Sequence, residues 1–352
     1  MFDNSTNSPH SLGSNRGVLT AAEQLHKQGK SFALAIVAST KGSTYRKAGA
    51  LALFTDQGAT HSVISGGCLE ANWHKAAFEV IARNKPRSLL LDTHDDDDLI
   101  FGSGSGCRGS MRVLIVPVTP DSPHTLYPVI AESFGHHQTL KLTLIVDATC
   151  CAHGVASNAH QYWEFGDAAN AIKFLHHSGE GEHQVSLPNG ERVTVAVLAV
   201  RPAPRVLLIG ASVETPFLIR IGHSLGWHIT TIDYRAAQLE LNASHADLAV
   251  QSRPAAALDA LVTAFDAALI MSHSVSTDIE ALRSLATRDE GYVGLLGPPS
   301  RRDELLSQLD EAQRRSLVSR LHAPLGIRLG GDGPEPLALS IAAELQRFFH
   351  HG

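Results

Sequence analysis

Short, unbroken apolar runs, separated by glycine, proline and polar clusters, set the rhythm of the chain, and their length is that of strands. The run over 32–38 has no alternating polar positions, so it predicts a strand buried on both faces, ended by a turn at Lys41, Gly42 and Ser43. A second run over 50–54 leads into Asp56, Gln57 and Gly58, a hairpin turn. From Leu69, the apolar residues Leu69, Trp73, Ala77, Val80 and Ile81 recur at helical spacing. Pro86 disfavours helical geometry in the residue before it, so this helix should stop near Lys85. Further strands are predicted over 88–92, 111–116, 141–147 and 192–200, the first two separated by an acidic run and a glycine-rich loop. Strand and helix alternate irregularly, so residues 17–200 read as an α+β domain. Residues 1–16, rich in Ser and Asn, read as a disordered leader.

Arg201, Pro202, Ala203 and Pro204 form a short stiff connector, and beyond it the pattern becomes regular. Strands over 205–209, 228–233, 247–250, 267–271 and 292–296 are interleaved with helices over 213–225, 255–265 and 277–287. In the first of these helices Phe217, Ile221 and Leu225 lie four apart with Leu218 beside them, one apolar face to lay on a sheet. Strands alternating with such helices predict a Rossmann-like, doubly wound parallel sheet over 205–352, closed by a helix over 334–348 with Pro334 in its first turn. The fold class is α/β, an N-terminal α+β domain followed by the Rossmann-like one.

Composition narrows the function classes. The 352 residues suit two domains, and 43% hydrophobic with 18% charged residues describes a globular protein. A net charge of −6 argues against a nucleic-acid partner. No apolar run approaches the roughly 18 residues that cross a bilayer, and 1–16 lacks the apolar core of an export signal. The expected address is the cytoplasm, with no membrane partner. Four cysteines without a CxxC pair are too few for a disulfide framework, which leaves metal, persulfide or packing as their work.

Two of them stand in glycine-rich surroundings. Cys68 follows Gly66 and Gly67 directly before a predicted helix, whose N-terminus favours the thiolate. Cys107 follows Gly106 and precedes Arg108, which can stabilise an anion. A thiolate in either loop can ligate a soft metal centre or carry sulfane sulfur; the competing role is packing, which is also the expectation for Cys150 and Cys151. The segment 42–47, with Arg46 and Lys47 among hydroxyls, offers a phosphate grip or an ordinary basic turn. In the second domain Gly210, with Ser212 and Thr215 at the other two fingerprint positions, could seat a pyrophosphate, and Asp233 stands where a carboxylate holds ribose hydroxyls or caps a turn. His273 follows a strand at the end where such sheets bind ligands, and His322 is a similar candidate. The pairs His136/His137, His176/His177 and His350/His351 read as surface residues, and the run 95–98 beside His94 as a solvated acidic loop.

Taken together and in order, these segments resemble the XdhC/CoxI family of molybdenum-enzyme accessory proteins. The resemblance rests on Lys41 to Arg46, on Ser65 to Ala71, on the loop ending Gly106-Cys107, on Leu225-Gly226-Trp227, Asp233-Tyr234-Arg235 and Met271-Ser272-His273, on 292–297, and on 322–326. It covers about residues 17–348. Departures are Tyr45 for the usual Pro, Arg108 after Cys107, a Rossmann loop short of glycine, Pro298-Pro299 after Gly297, and Arg328 and Asp332 in the closing glycine segment. What the resemblance implies is a cofactor chaperone rather than a turnover enzyme. Such a protein binds molybdenum cofactor, as molybdopterin or its cytidine dinucleotide form, protects it while a cysteine desulfurase helps install sulfur, and delivers it to an apo molybdenum hydroxylase of the xanthine dehydrogenase type. Carried over, Cys68 and Cys107 become the metal- or sulfur-facing groups, with Gly66, Gly67 and Gly106 shaping their loops; a homodimer is a further expectation. The alternative is an NAD(P)-dependent oxidoreductase built on Gly210 and Asp233.

Overall fold

The computed structural model describes residues 13–65, 70–92, 109–121, 124–147 and 151–351. The chain divides into two units, Met1–Ala203 and Pro204–Gly352. In the first, helix α1 (Asn15–Lys27) precedes strands β1 (Phe32–Gly42), β2 (Leu51–Thr55) and β3 (Thr60–His61). Helix α2 (Glu70–Arg83), strands β4 (Arg87–Asp92) and β5 (Gly109–Val118), and helix α3 (Leu126–Gly135) follow. Strands β6 (Leu140–Ile145), β7 (Gly154–Ser157) and β8 (Tyr162–Phe165), the short helix α4 (Ala169–Ile172), and strands β9 (Gly181–Ser186) and β10 (Arg192–Val200) complete the unit. The described strands form two antiparallel sheets, ordered β3-β2-β1-β5-β4 and β8-β7-β6-β10-β9.

The apolar runs of β1 and β10 lack polar positions because both faces of each strand are covered. Phe32, Leu34 and Ile36 enter a core shared by the two sheets with α1 and α3, while Ala33, Ala35 and Val37 pack beneath Trp73, Ala77 and Val80 of α2. Ala196, Leu198 and Val200 of β10 join the shared core, and Val193, Val195 and Val197 pack with Ile172 and Leu175. Cys151 packs half-buried against the shared core.

Several expectations need correction. Strand β1 does not end before Lys41: past a bulge at Val37/Ser39 its polar end stays paired, Gly42 opposite Gly109 of β5. Helix α1 begins inside the stretch expected to be disordered. Ser14 accepts from Gly17 N at 3.1 Å as its cap, and Asn15 pins the helix to β2, accepting from Leu51 N at 2.9 Å and donating to Gly49 O at 3.0 Å. His176 is not a surface residue. It is 6% exposed, its ring bridging the hydroxyls of Thr143 (2.9 Å) and Ser157 (2.7 Å), and burial, then Lys141 and His177, lower its pKa.

The second unit runs β11 (Arg205–Ile209), α5 (Thr215–Ser224), β12 (His228–Asp233), α6 (Ala236–Ala243), β13 (Leu248–Gln251), α7 (Pro254–Ala260), β14 (Ala267–Ile270) and α8 (Val275–Leu285). It continues through β15 (Tyr292–Leu295), α9 (Pro299–Ser307), α10 (Glu311–Leu317) and β16 (Leu321–His322) to α11 (Pro334–His351), which contains His350 and His351. The sheet is parallel, in the order β13-β12-β11-β14-β15-β16, the doubly wound arrangement the alternation predicts. Val206 and Leu208 pack on α5 and α11; Leu207 and Ile209 pack on α7 and α8. Helix α7 stops five residues short of the predicted 265. There Arg288 donates to the carbonyls of Leu258, Leu261 and Thr263, satisfying a helix end from a distant side chain. Among the described residues no helix is long and apolar enough to cross a membrane.

Candidate functional site

The chain leaves β11 toward β12 on one side and resumes at β14 on the other, so the carboxyl ends of β11 and β14 flank the switch point where parallel sheets bind ligands. The loop after β11 crosses very close to the loop after β14. Gly210, at φ +106°, has no room for a side chain: a Cβ would lie 2.5 Å from Ser272 Cα and 2.6 Å from Ser272 N. Its glycine is therefore explained by backbone crossing, without a pyrophosphate. The Ala211 N–H, which a dinucleotide phosphate would need, donates instead to Asp233 Oδ2 at 2.8 Å, and Asn242 holds the Ala211 carbonyl at 3.0 Å. Ser212 is buried, its hydroxyl 3.4 Å from that of Thr215.

Asp233 departs from the ribose-binding expectation. It is 4% exposed and accepts from Ala211 N, from Arg235 N (2.8 Å) and from the Arg235 guanidinium through Nε (3.0 Å) and Nη2 (2.8 Å). Four N–H donors saturate a carboxylate, which leaves no acceptor for ribose hydroxyls. Burial by itself would raise its pKa; the Arg235 fork and the two backbone N–H groups outweigh burial and hold it below the ordinary carboxylate range. Asp233 positions the β11–α5 loop, the turn-capping role that its sequence position also allowed.

His273 does lie at the switch point, in a left-handed conformation (φ +57°) that a non-glycine residue adopts only when its surroundings impose it. On one side the Ser272 hydroxyl bonds to Asp278, which is 1% exposed and takes Arg301 Nη2 at 2.7 Å. On the other, Ser274 donates its N–H back to Ser272 Oγ at 3.2 Å. His273 Nε2 stands 3.8 Å from Oε2 of Glu214, the residue before α5. Glu214 was invisible as a site residue in the sequence, since the cleft it borders is built by residues 327–340. His322 has a structural role, its ring stacked on Tyr292 at 3.9 Å and its Nδ1 3.3 Å from Glu344, which also accepts from Gly326 N at 2.5 Å.

In the first unit Cys68 and Cys107, with Gly66, Gly67 and Gly106, lie outside the described residues, as do Cys150, His94 and Asp95 to Asp98. The residues that flank the two cysteine segments are described, and both sets touch the stretch Lys41 to Lys47. Arg46 is directed toward the protein: Nη1 donates to Ser62 Oγ at 2.7 Å and to Val63 O at 3.3 Å, and burial lowers its pKa. Ser65 accepts from the buried Trp73 Nε1 at 3.1 Å. Two residues beyond Cys107, a Cβ on Gly109 would overlap the Ser43 carbonyl and come within 2.8 Å of Lys41 O. Nearby, Glu182 of β9 accepts from Ser39 Oγ (2.6 Å) and Arg112 Nε (2.7 Å), with Lys41 Nζ 3.7 Å away, tying the two sheets together. Among the described residues no three His, Cys, Asp or Glu side chains are grouped to hold a metal ion.

Two family models match the chain, one for the XdhC and CoxI family over residues 25–93 and one for the XdhC Rossmann domain over residues 206–345. A Bacillus subtilis protein, named as a probable subunit of xanthine dehydrogenase, is 25% identical over 318 residues, covering 89% of this chain and 91% of its own length. The uncharacterized protein YqeB of Escherichia coli is 28% identical over 168 residues, 47% of this chain and 31% of that one. A crystal structure from Bacillus halodurans, described as a xanthine dehydrogenase, superposes with a TM-score of 0.76 at 24% identity, over 95% of this chain and 96% of that one. At that identity the likeness establishes the fold.

Proposed function

Because the chain belongs to the XdhC and CoxI family, we propose that it is an accessory protein of a xanthine dehydrogenase-type molybdenum hydroxylase. It binds the molybdenum cofactor, as molybdopterin or its cytidine dinucleotide form, shelters it while a cysteine desulfurase supplies the terminal sulfur, and passes it to the apo-enzyme. The observation that carries this function is the pair of family matches, one in each unit and in chain order.

The hydroxylation chemistry of the bound cofactor belongs to the client enzyme; the residues of this chain bind, orient and exclude water. Cys68 and Cys107 are the soft ligands in the proposal, Gly66, Gly67 and Gly106 the positions that let backbone approach. Its support is the common anchorage of both flanks on Lys41 to Lys47, through Arg46 on one side and the Gly109 crossing on the other. Arg46 then acts as a positioning residue and not as a phosphate grip. The proposal includes a cytoplasmic setting, where thiols stay reduced, and a homodimer in which the second protomer helps exclude water. An NAD(P)-dependent reaction has no support at the switch point, because Ala211 N and Asp233 are engaged with each other.

Purification from cells that make molybdenum cofactor, followed by assay of oxidised pterin and molybdenum, tests the function. The wild type should carry both, and Cys68→Ala or Cys107→Ala should lose most of the load without a change in melting temperature. A wild type devoid of pterin, under conditions in which a known carrier retains it, would sink the proposal.

A further inference from the structure

Strand β5 carries Arg112 to the rim between the two antiparallel sheets of the first unit, opposite Ser39 of β1 and Leu90 of β4. The side chain is only 13% exposed, yet of its three nitrogens Nε alone is bonded, to Glu182 Oε1 at 2.7 Å. Arg288 of the second unit shows what a guanidinium of similar burial does when the chain satisfies it. Its Nε donates to Glu290, and its two terminal nitrogens donate to the carbonyls of Leu258, Leu261 and Thr263. The terminal nitrogens of Arg112 have no such acceptors among the described residues. Neither is among the side-chain atoms enclosed without a partner, so both remain open to solvent. A guanidinium withdrawn this far from bulk water, with its outer N–H donors unmet, suits an acceptor that arrives from outside the chain.

The charges around Arg112 select that acceptor. Lys41 of β1, two positions beyond Ser39, is 71% exposed and brings Nζ to 3.7 Å from Glu182 Oε2. Glu182 therefore serves two cations with one carboxylate. Asp92 of β4, across Ser110 from Lys41, has an interaction of its own. A tetrahedral dianion matches what is left: two oxygens take parallel N–H groups from the terminal nitrogens of Arg112, and a third faces the mobile ammonium of Lys41. A planar carboxylate, with one charge and two oxygens, fills the arginine fork and leaves the ammonium without a contact.

We infer that Arg112 and Lys41, held by Glu182, form the grip for a phosphate monoester. All three residues belong to the first unit. The grip itself rests on these residues; that the ester is borne by the pterin cofactor rests on the proposed function. It supplies, from the strand that follows Cys107 in the sequence, the phosphate contact that Arg46, turned toward Ser62 and Val63, does not make. Free inorganic phosphate carries the same chemistry and is the competing source.

The test is calorimetric titration of the full chain at low salt with phenyl phosphate, inorganic phosphate and benzoate. The wild type should bind phenyl phosphate roughly tenfold tighter than benzoate. Lys41→Ala, at an exposed position, should weaken phenyl phosphate by about threefold, the scale of one exposed ion pair. Arg112→Gln combined with Glu182→Gln removes both members of the buried pair, so that neither charge is stranded, and should weaken it roughly tenfold or more. Lys27→Gln, on α1, should change nothing. The inference is overturned by a wild type that gives no heat with phenyl phosphate or binds benzoate as tightly, or by either the Lys41 or the double variant binding like the wild type. Tighter binding of inorganic phosphate than of the ester also overturns it, because the site then serves the free ion. These titrations use no pterin and read the grip alone. A wild type that binds phenyl phosphate but comes from cells without pterin fails the proposed function and leaves the grip standing.

Discussion

Arg46 and Ser62 are joined at 2.7 Å, and this bond, with the second to Val63, makes the basic turn after β1 and the segment leading to Cys68 one structural piece. Ser62 itself sits at φ +75°, a conformation held from outside rather than preferred locally. Arg46→Met should cost about 2 kcal/mol of stability, from two lost bonds and a stranded carbonyl and hydroxyl. Arg46→Lys should recover less than half, because the shorter lysine does not carry its ammonium to the place from which Nη1 makes both bonds. Urea unfolding measures the cost. Thiol labelling of Cys68 should be faster in both variants, and an unchanged rate would break the link between Arg46 and the cysteine loop.

Gly210 predicts a sharper effect. Gly210→Ala forces a Cβ to within 2.5 Å of Ser272 Cα and requires φ +106° from a residue with a side chain, so about 3 kcal/mol or more should be lost. Gly58→Ala, at φ +81° but with nothing within 4 Å, should cost only about 1 kcal/mol. A similar midpoint shift for both would show that the loop crossing at Ser272 is not tight.

The parallel sheet was legible in the sequence because three of the five strands over 205–296 are followed by a helix-length apolar pattern, and β1 and β10 because burial on both faces leaves a continuous apolar run. Strands β8 and β9 were not, since Tyr162–Phe165 and Gly181–Ser186 are edge strands with polar positions, each held by a hairpin ladder to the one neighbouring strand, β7 or β10. Asp233 stands out in the sequence by its place at a strand end, but its pairing with Arg235, two residues along, does not, and that pairing changes its role from ligand contact to loop clamp. Glu214 was hidden for a different reason: nothing local distinguishes a glutamate after a strand, and only the return of 327–340 to its side makes it a buried wall.

Asp233→Asn tests the clamp. The carboxamide offers one acceptor where two oxygens now take four donors, so the loop should lose about 2–3 kcal/mol. A carboxylate whose folded pKa is depressed contributes stability that is present above its unfolded value, near 4, and is lost as pH falls through the folded one. Glu182 contributes in the same direction: burial would raise its pKa, but Ser39, Arg112 and Lys41 together lower it. The wild type should therefore lose stability steeply below about pH 4, and Asp233→Asn should show a shallower slope there. Parallel slopes in chemical unfolding would remove Asp233 as a source of acid sensitivity.

Acid should act at a higher pH through two histidines. Burial, with His153 adding to it, pushes His124 down to about 4, and burial with Lys141 and His177 lowers His176. A histidine whose folded pKa is depressed binds fewer protons folded than unfolded between the two values, so stability is full above the unfolded pKa near 6.5 and declines as pH falls toward the folded one. The unfolding free energy should thus fall between about pH 6.5 and 4, before the carboxylates titrate. His124 Nδ1 accepts from Leu126 N at 3.3 Å at the start of α3, a bond that asparagine can reproduce. His124→Asn should keep most of the stability at pH 7.5 and flatten the decline toward pH 5, as read from urea midpoints across that range. A midpoint that falls as steeply in the variant as in the wild type would assign the acid response to other groups.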